Sequence, residues 1–135
     1  MALQKLDHVT VNTDDLQKTR DFYCDVLGMT DGYRPDLGFD GAWFYVGETP
    51  CIHVCEWESY LVWAREQDLP HSNRAKGTGA LDHVAFNAED YDGAVARLEA
   101  SGLEFSRNLV ADISLRQLFV RDPNGICVEL NFRGD

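Results

Sequence analysis

Residues 6–12 read Leu-Asp-His-Val-Thr-Val-Asn, and residues 81–87 read Leu-Asp-His-Val-Ala-Phe-Asn. Five of the seven positions are identical at a constant offset of 75. The chain therefore contains itself twice, and each half reads in the same order. A strand-like alternation comes first. Acidic residues and a helical stripe follow. In the first half Asp14 or Thr13 caps a helix with apolar positions Leu16, Thr19, Tyr23, Val26 and Leu27, stopped by Gly28. In the second half Glu89 and Asp90 precede Tyr91, Ala94, Val95 and Leu98, and Gly102 ends the helix. Both stripes have helical spacing, so they belong to the core.

Three strands follow each helix. In the first half they are expected at 30–34, 42–46 and 51–57, punctuated by Pro35, Gly38, Gly41, Gly47 and Pro50. In the second half they are expected at 105–110, 115–121 and 126–132. The turn Asp122-Pro123-Asn124-Gly125 separates the last two. Each half is strand, helix, strand, strand, strand. The fold class is α+β, with module one over 1–58, a connector over 59–79 and module two over 80–135 of a single domain. A connector this long calls for a short helix near 59–66.

Composition narrows the function. Twelve basic and 23 acidic residues give a net charge of −11. A chain so acidic repels phosphate backbones and anionic lipid, which argues against nucleic-acid and membrane roles and favours a small-molecule partner. No apolar run approaches the roughly 18 residues of a membrane span, and no signal-peptide core precedes the first strand. A cytoplasmic protein with reduced thiols is expected. Cys51 and Cys55 share one strand about 13 Å apart, too far for a disulfide or one ion. Cys24, Cys51, Cys55 and Cys127 are read as free thiols.

Strand parity sorts the remaining side chains. Val9 and Val11 face the helix, which turns His8, Thr10 and Asn12 the other way. By the same alternation His83, His53 and Glu129 leave the helix-packed face, Glu129 together with Cys127 and Asn131. Glu56 falls outside His53's face. His71 sits in the connector as a solvated residue. Three histidines and one carboxylate thus leave the same side of equivalent strands. Two imidazoles and a carboxylate make a facial triad that suits Fe(II) or Mn(II) and leaves positions open to substrate. Tyr33, Arg34, Trp43, Tyr45, Arg107, Arg116 and Gln117 lie on flanking strands as candidate substrate contacts. Arg116 and Gln117 alternate, so only one of them points inward. Arg34 and Arg116 would supply positive charge for an anionic substrate.

At these residues the chain resembles the glyoxalase, bleomycin-resistance and extradiol-dioxygenase group, the vicinal oxygen chelate superfamily. The resemblance rests on Leu6-Asp7-His8-Val9, on Asp21-Phe22-Tyr23 through Val26-Leu27-Gly28-Met29, on Leu81-Asp82-His83-Val84, and on Asp122-Pro123-Asn124-Gly125 followed by Val128-Glu129-Leu130. It implies two βαβββ modules whose mixed sheets form a U-shaped cleft around one divalent ion, Fe2+, Mn2+, Ni2+ or Zn2+. The implied ligands are His8, His83 and Glu129, with His53 at the position where many glyoxalase I members carry glutamate. His53 is then a fourth ligand or an acid–base residue, and Glu129 joins it as a candidate catalytic group. The set His, His, Glu is similar to that of fosfomycin-resistance enzymes and extradiol dioxygenases. The resemblance implies isomerase or lyase chemistry through a stabilised enediolate on a substrate with vicinal oxygens. Ring-cleaving dioxygenation and metal-free drug sequestration are the alternatives. It also implies a homodimer, in which His8 and His53 of one subunit can face His83 and Glu129 of its partner.

Overall fold

The computed structural model describes residues 1–74 and 76–134. The chain divides into two compact units, residues 1–75 and 76–135. The first holds β1 (Val9–Thr13), α1 (Leu16–Arg20), β2 (Thr30–Gly32), β3 (Gly41–Val46), β4 (Thr49–Glu56) and α2 (Trp57–Glu66). Its sheet has the order β1-β4-β3-β2, with β1 parallel to β4 and the other pairs antiparallel. The second holds β5 (His83–Asn87), α3 (Tyr91–Ser101), β6 (Phe105–Val110), β7 (Leu115–Arg121) and β8 (Cys127–Arg133). Its sheet repeats the order as β5-β8-β7-β6, with β5 parallel to β8. The repeat is therefore two βαβββ units with mixed four-stranded sheets.

The first helix departs from expectation. Asp15, not Asp14 or Thr13, is the cap, and its carboxylate accepts from the Lys18 amide at 3.0 Å. After Arg20 the helix widens into a π turn over Asp21–Val26. The wider turn accommodates two adjacent rings in the core. Phe22 and Tyr23 are both buried and meet edge to face at 4.9 Å. A regular α-helix would carry neighbours about 100° apart around its axis, so the 3.6-residue stripe misses Phe22. Gly28 closes the segment at φ +80°, where the Met29 amide returns to the Tyr23 carbonyl at 2.9 Å.

The connector helix starts earlier than expected, at Trp57, and belongs to the first unit. Trp57, Leu61 and Ala64 bury its inner face. Its cap is Glu56, whose two carboxylate oxygens accept from the amides of Glu58 and Ser59. That capping role explains a carboxylate that strand parity separates from His53. In the second unit the Asp122 side chain accepts from the amides of Asn124 and Ile126, both at 2.8 Å. Gly125 takes φ +83° to complete the turn.

Alternation along the central strands builds each core. Ala42, Phe44, Ile52 and Val54 are buried on one face of the first sheet. Leu118, Val120, Val128, Leu130 and Phe132 do the same in the second, where Leu98 of α3 is also buried. We expect Leu118→Ala, at a fully buried site, to lower unfolding free energy by about 2–5 kcal/mol. Leu109→Ala, at an exposed site, should stay within about 0.5 kcal/mol. Urea denaturation of the two variants measures the contrast, and equal losses would contradict this account of the core.

Candidate metal and substrate site

The face of each sheet opposite the buried aliphatic residues carries the polar side chains. In the first unit His8 stands immediately before β1, and His53 pairs with Thr10 across the parallel β1–β4 ladder. In the second, His83 opens β5, and Glu129 pairs with Ala85 across β5–β8. His8 lies two residues before Thr10, and His83 two before Ala85. Each unit therefore sets a first-strand histidine diagonally against a fourth-strand ligand candidate, on one face and in the same register. His53 and Glu129 occupy equivalent positions.

Both first-strand histidines are held the same way. Asp7 Oδ2 lies 2.6 Å from His8 Nδ1, and Asp82 Oδ2 lies 2.7 Å from His83 Nδ1. A carboxylate accepting from Nδ1–H fixes the tautomer that leaves the Nε2 lone pair free, the arrangement found behind metal-bound histidines. In the second unit His83 Nε2 lies 3.4 Å from Glu129 Oε1. An imidazole nitrogen and a carboxylate oxygen so placed suit two positions on one ion. In the first unit the imidazoles of His8 and His53 stack at 3.7 Å with 13° between planes. His53 in turn stacks on Trp43 at 4.0 Å. Its Nε2 is buried and makes no hydrogen bond. An orphaned acceptor beside an oriented histidine is what a cation would satisfy. Among the described residues no three His, Cys, Asp or Glu side chains form a group arranged to hold an ion. The donors come as two pairs, His8 with His53 and His83 with Glu129, and their chemistry fits a divalent cation of borderline softness.

The two environments shift the histidines in opposite directions. Burial lowers the His53 pKa, and the neighbouring His8 charge adds to that; a hydrogen bond to the Pro50 backbone opposes it. The Asp82 hydrogen bond raises that of His83, with the Glu129 charge acting the same way. Asp7 is lowered, chiefly by its hydrogen bond to His8. Burial pushes the Cys55 thiol up to about 11. All four cysteines are free thiols.

The candidate substrate residues divide. Trp43 joins the His53 face directly. Arg34 lies over Gly41, where a Cβ would meet its Nη2 at 3.1 Å. It donates to the Phe39 carbonyl at 2.8 Å and stacks over that ring, while its buried Nε makes no hydrogen bond. Tyr33 is exposed just beyond β2, its carbonyl accepting from Tyr45. Arg116 lies on the other face of its sheet, with its guanidinium 4.2 Å from the Tyr91 ring of α3. That position removes it from the neighbourhood of Glu129. Gln117 is the inward member of the pair, and it bonds to Asn131 rather than standing free. Arg107 pairs with Glu99 at the surface. His71 is exposed, as expected.

Asp7, Asp82 and Asn131 are the polar partners that parity alone does not assign. The signal for the aspartates is in the repeat, since Asp precedes His in both copies. Asn131 shares the Glu129 face by alternation, but nothing in the sequence gives it a partner.

A model of the Glyoxalase/Bleomycin resistance protein/Dioxygenase superfamily matches residues 5–130. A protein of Arabidopsis thaliana named Glyoxylase I 4 is 31% identical over 133 residues, covering 96% of this chain and 71% of that protein. The solved lactoylglutathione lyase of Agrobacterium tumefaciens superposes with a TM-score of 0.73 at 19% identity, over 97% of this chain and 95% of that one. A fosfomycin resistance protein of Listeria monocytogenes gives 0.71 at 18% identity, over 98% and 96%. These two structures share the fold.

The opposite pKa shifts are measurable without metal. An NMR titration of the imidazole protons should place the His53 midpoint below the ordinary value of 6.5 and the His83 midpoint above it. As pH falls, His83 takes its proton before His53 does. The His83–Asp82 contact then supports the fold at low pH and fades as pH rises through the raised midpoint. The burial of neutral His53 opposes the fold increasingly as pH falls below 6.5. Coincident midpoints would contradict this electrostatic account.

Proposed function

The chain belongs to the glyoxalase/bleomycin resistance protein/dioxygenase superfamily, and on that footing we propose that it is a divalent-metal enzyme of the isomerase or lyase type. Its substrate is a small molecule that presents two neighbouring oxygens. His8, His53, His83 and Glu129 hold the ion, with His53 as the fourth ligand. The protein is further proposed to act as a homodimer. The cytoplasm, where thiols stay reduced, is the proposed compartment.

The observation that carries this proposal is the repeated pairing. Each first-strand histidine has a carboxylate on Nδ1 and a fourth-strand donor diagonal to it. Four donors of this kind suit Fe2+, Mn2+, Ni2+ or Zn2+. When bound, such a cation supplies Lewis acidity to vicinal oxygens and stabilises negative charge that develops there. The residues around it orient and exclude. Trp43 presents a flat wall against His53, which limits how a substrate lies beside that ring. Arg34 brings positive charge to the same face of an otherwise acidic chain, suited to an anionic group. The names of the Arabidopsis relative and the Agrobacterium neighbour favour the isomerase or lyase branch.

Metal analysis of protein purified without chelator, followed by oxygen uptake with catechols, tests the proposal. We expect one divalent ion per site and no catechol-dependent uptake. Glu129→Gln should keep the fold, read by circular dichroism, and lose metal affinity by at least about 100-fold, more than the 10–100-fold typical of outer partners. Unchanged metal content in alanine variants of His8, His83 and Glu129 would refute the ligand set. Iron with catechol-dependent uptake would select ring cleavage instead. Tight binding of a drug by metal-free protein would select sequestration.

A further inference from the structure

A chain of amides runs through the second sheet and ends on Glu129. Asn108 of β6 donates through Nδ2 to Gln117 Oε1 of β7 at 2.8 Å. Gln117 donates through Nε2 to Asn131 Oδ1 of β8 at 3.1 Å. Asn131 donates through Nδ2 to Glu129 Oε2 at 2.8 Å. The three amides are direct cross-strand neighbours, Asn108 opposite Gln117 and Gln117 opposite Asn131. The direction of the chain is dictated at its inner end. A carboxylate only accepts, so Asn131 must turn its NH2 group toward Glu129. Its oxygen is then left for Gln117, whose own oxygen is left for Asn108.

The first unit shows that the fold does not need this chain. It has the same strand order, and the same register from Gly41 to Phe44, before a shift between Phe44 and Val46. The position of Asn131 is held there by Cys55, and that of Gln117 by Gly41, which face each other across β3 and β4. Four strands pair equally well over a thiol and a glycine. Asn131 and Glu129 are only 9% exposed, and buried polar groups are expensive where an apolar residue would serve. The feature that separates the two units is the ligand candidate itself: a carboxylate with two equivalent oxygens in one, an imidazole with one available nitrogen in the other.

We propose that Asn131, backed by Gln117 and Asn108, is a positioning residue that engages Glu129 Oε2 and so presents Oε1 alone beside His83 Nε2. Glu129 is thereby a one-oxygen ligand of fixed orientation, and the coordination position that its second oxygen would fill stays open to substrate. This inference rests on the metal-site reading above.

Titration of the full-length, metal-free protein with Co2+ tests it, because cobalt's visible d–d bands report coordination geometry. Wild-type protein should bind Co2+ with one defined spectrum. Asn131→Leu, close in shape but without a donor, should bind about 10–100-fold more weakly. Its bands should change in position and intensity as both oxygens of Glu129 reach the ion. Gln117→Leu, at a half-buried site, should shift affinity and spectrum in the same direction by a smaller amount. It keeps the test readable if Asn131→Leu does not fold. Suppose both variants match wild type in affinity and spectrum while Glu129→Gln has lost the metal. The positioning role then falls and the metal site stands. Wild-type protein that takes no Co2+ would overturn both.

Discussion

Parallel pairing between the first and last strand of each unit is the constraint from which the site follows. A βαβββ unit must bring its last strand back beside its first, and the helix covers one face of the resulting sheet. The other face cannot be closed by the unit's own helix. Side chains that alternate away from the core on these two paired strands, one at the sheet edge and one inside it, are therefore neighbours on an open face. In both units the register places the first-strand histidine two residues before the partner of the fourth-strand donor. Diagonal neighbours on one face are close enough to share a ligand. The pairing thus sets two candidate donors side by side wherever the sequence puts them at these positions, and this sequence does so twice.

The two pairs reach comparable order by different means. The first uses aromatic contact, with Trp43, His53 and His8 in one stack. Stacking fixes ring planes and strips water from His53, which keeps its imidazole neutral and its nitrogen available. Both hold the first-strand histidine through an aspartate, Asp7 or Asp82, and the second adds a hydrogen bond from Asn131 to Glu129. A flexible carboxylate cannot be fixed by stacking, so it needs donors with direction. Physical chemistry thus accounts for the asymmetry between pseudo-equivalent halves, while the backbone remains common to both.

Much of this is legible in the sequence because two simple periodicities carry it. Alternation by two assigns His8, His53, His83 and Glu129 to the open face, and the structure has them there. The same rule states that Arg116 and Gln117 exclude each other, yet parity alone does not say which turns inward. Tyr91 decides it by offering its ring to Arg116. The helical period fails over Asp21–Val26 because a π turn obeys a different spacing, and Phe22 is the residue it misplaces. Asp7 and Asp82 were visible as letters but not as partners, since a contact between adjacent residues depends on side-chain torsion and not on pattern. The role of Glu56 as a cap likewise emerges only once α2 starts at Trp57.

We propose that the strand-borne side chains of His8, His53, His83 and Glu129 are ligands of a divalent ion. X-ray absorption on the zinc- or nickel-loaded protein addresses it directly, because imidazole rings leave a characteristic multiple-scattering pattern. We expect three imidazole nitrogens and one carboxylate oxygen at about 2.0–2.2 Å from the metal. The signal of one imidazole should disappear in His53→Ala. A first shell of solvent oxygens without imidazole scattering, or a shell unchanged by that substitution, would contradict it.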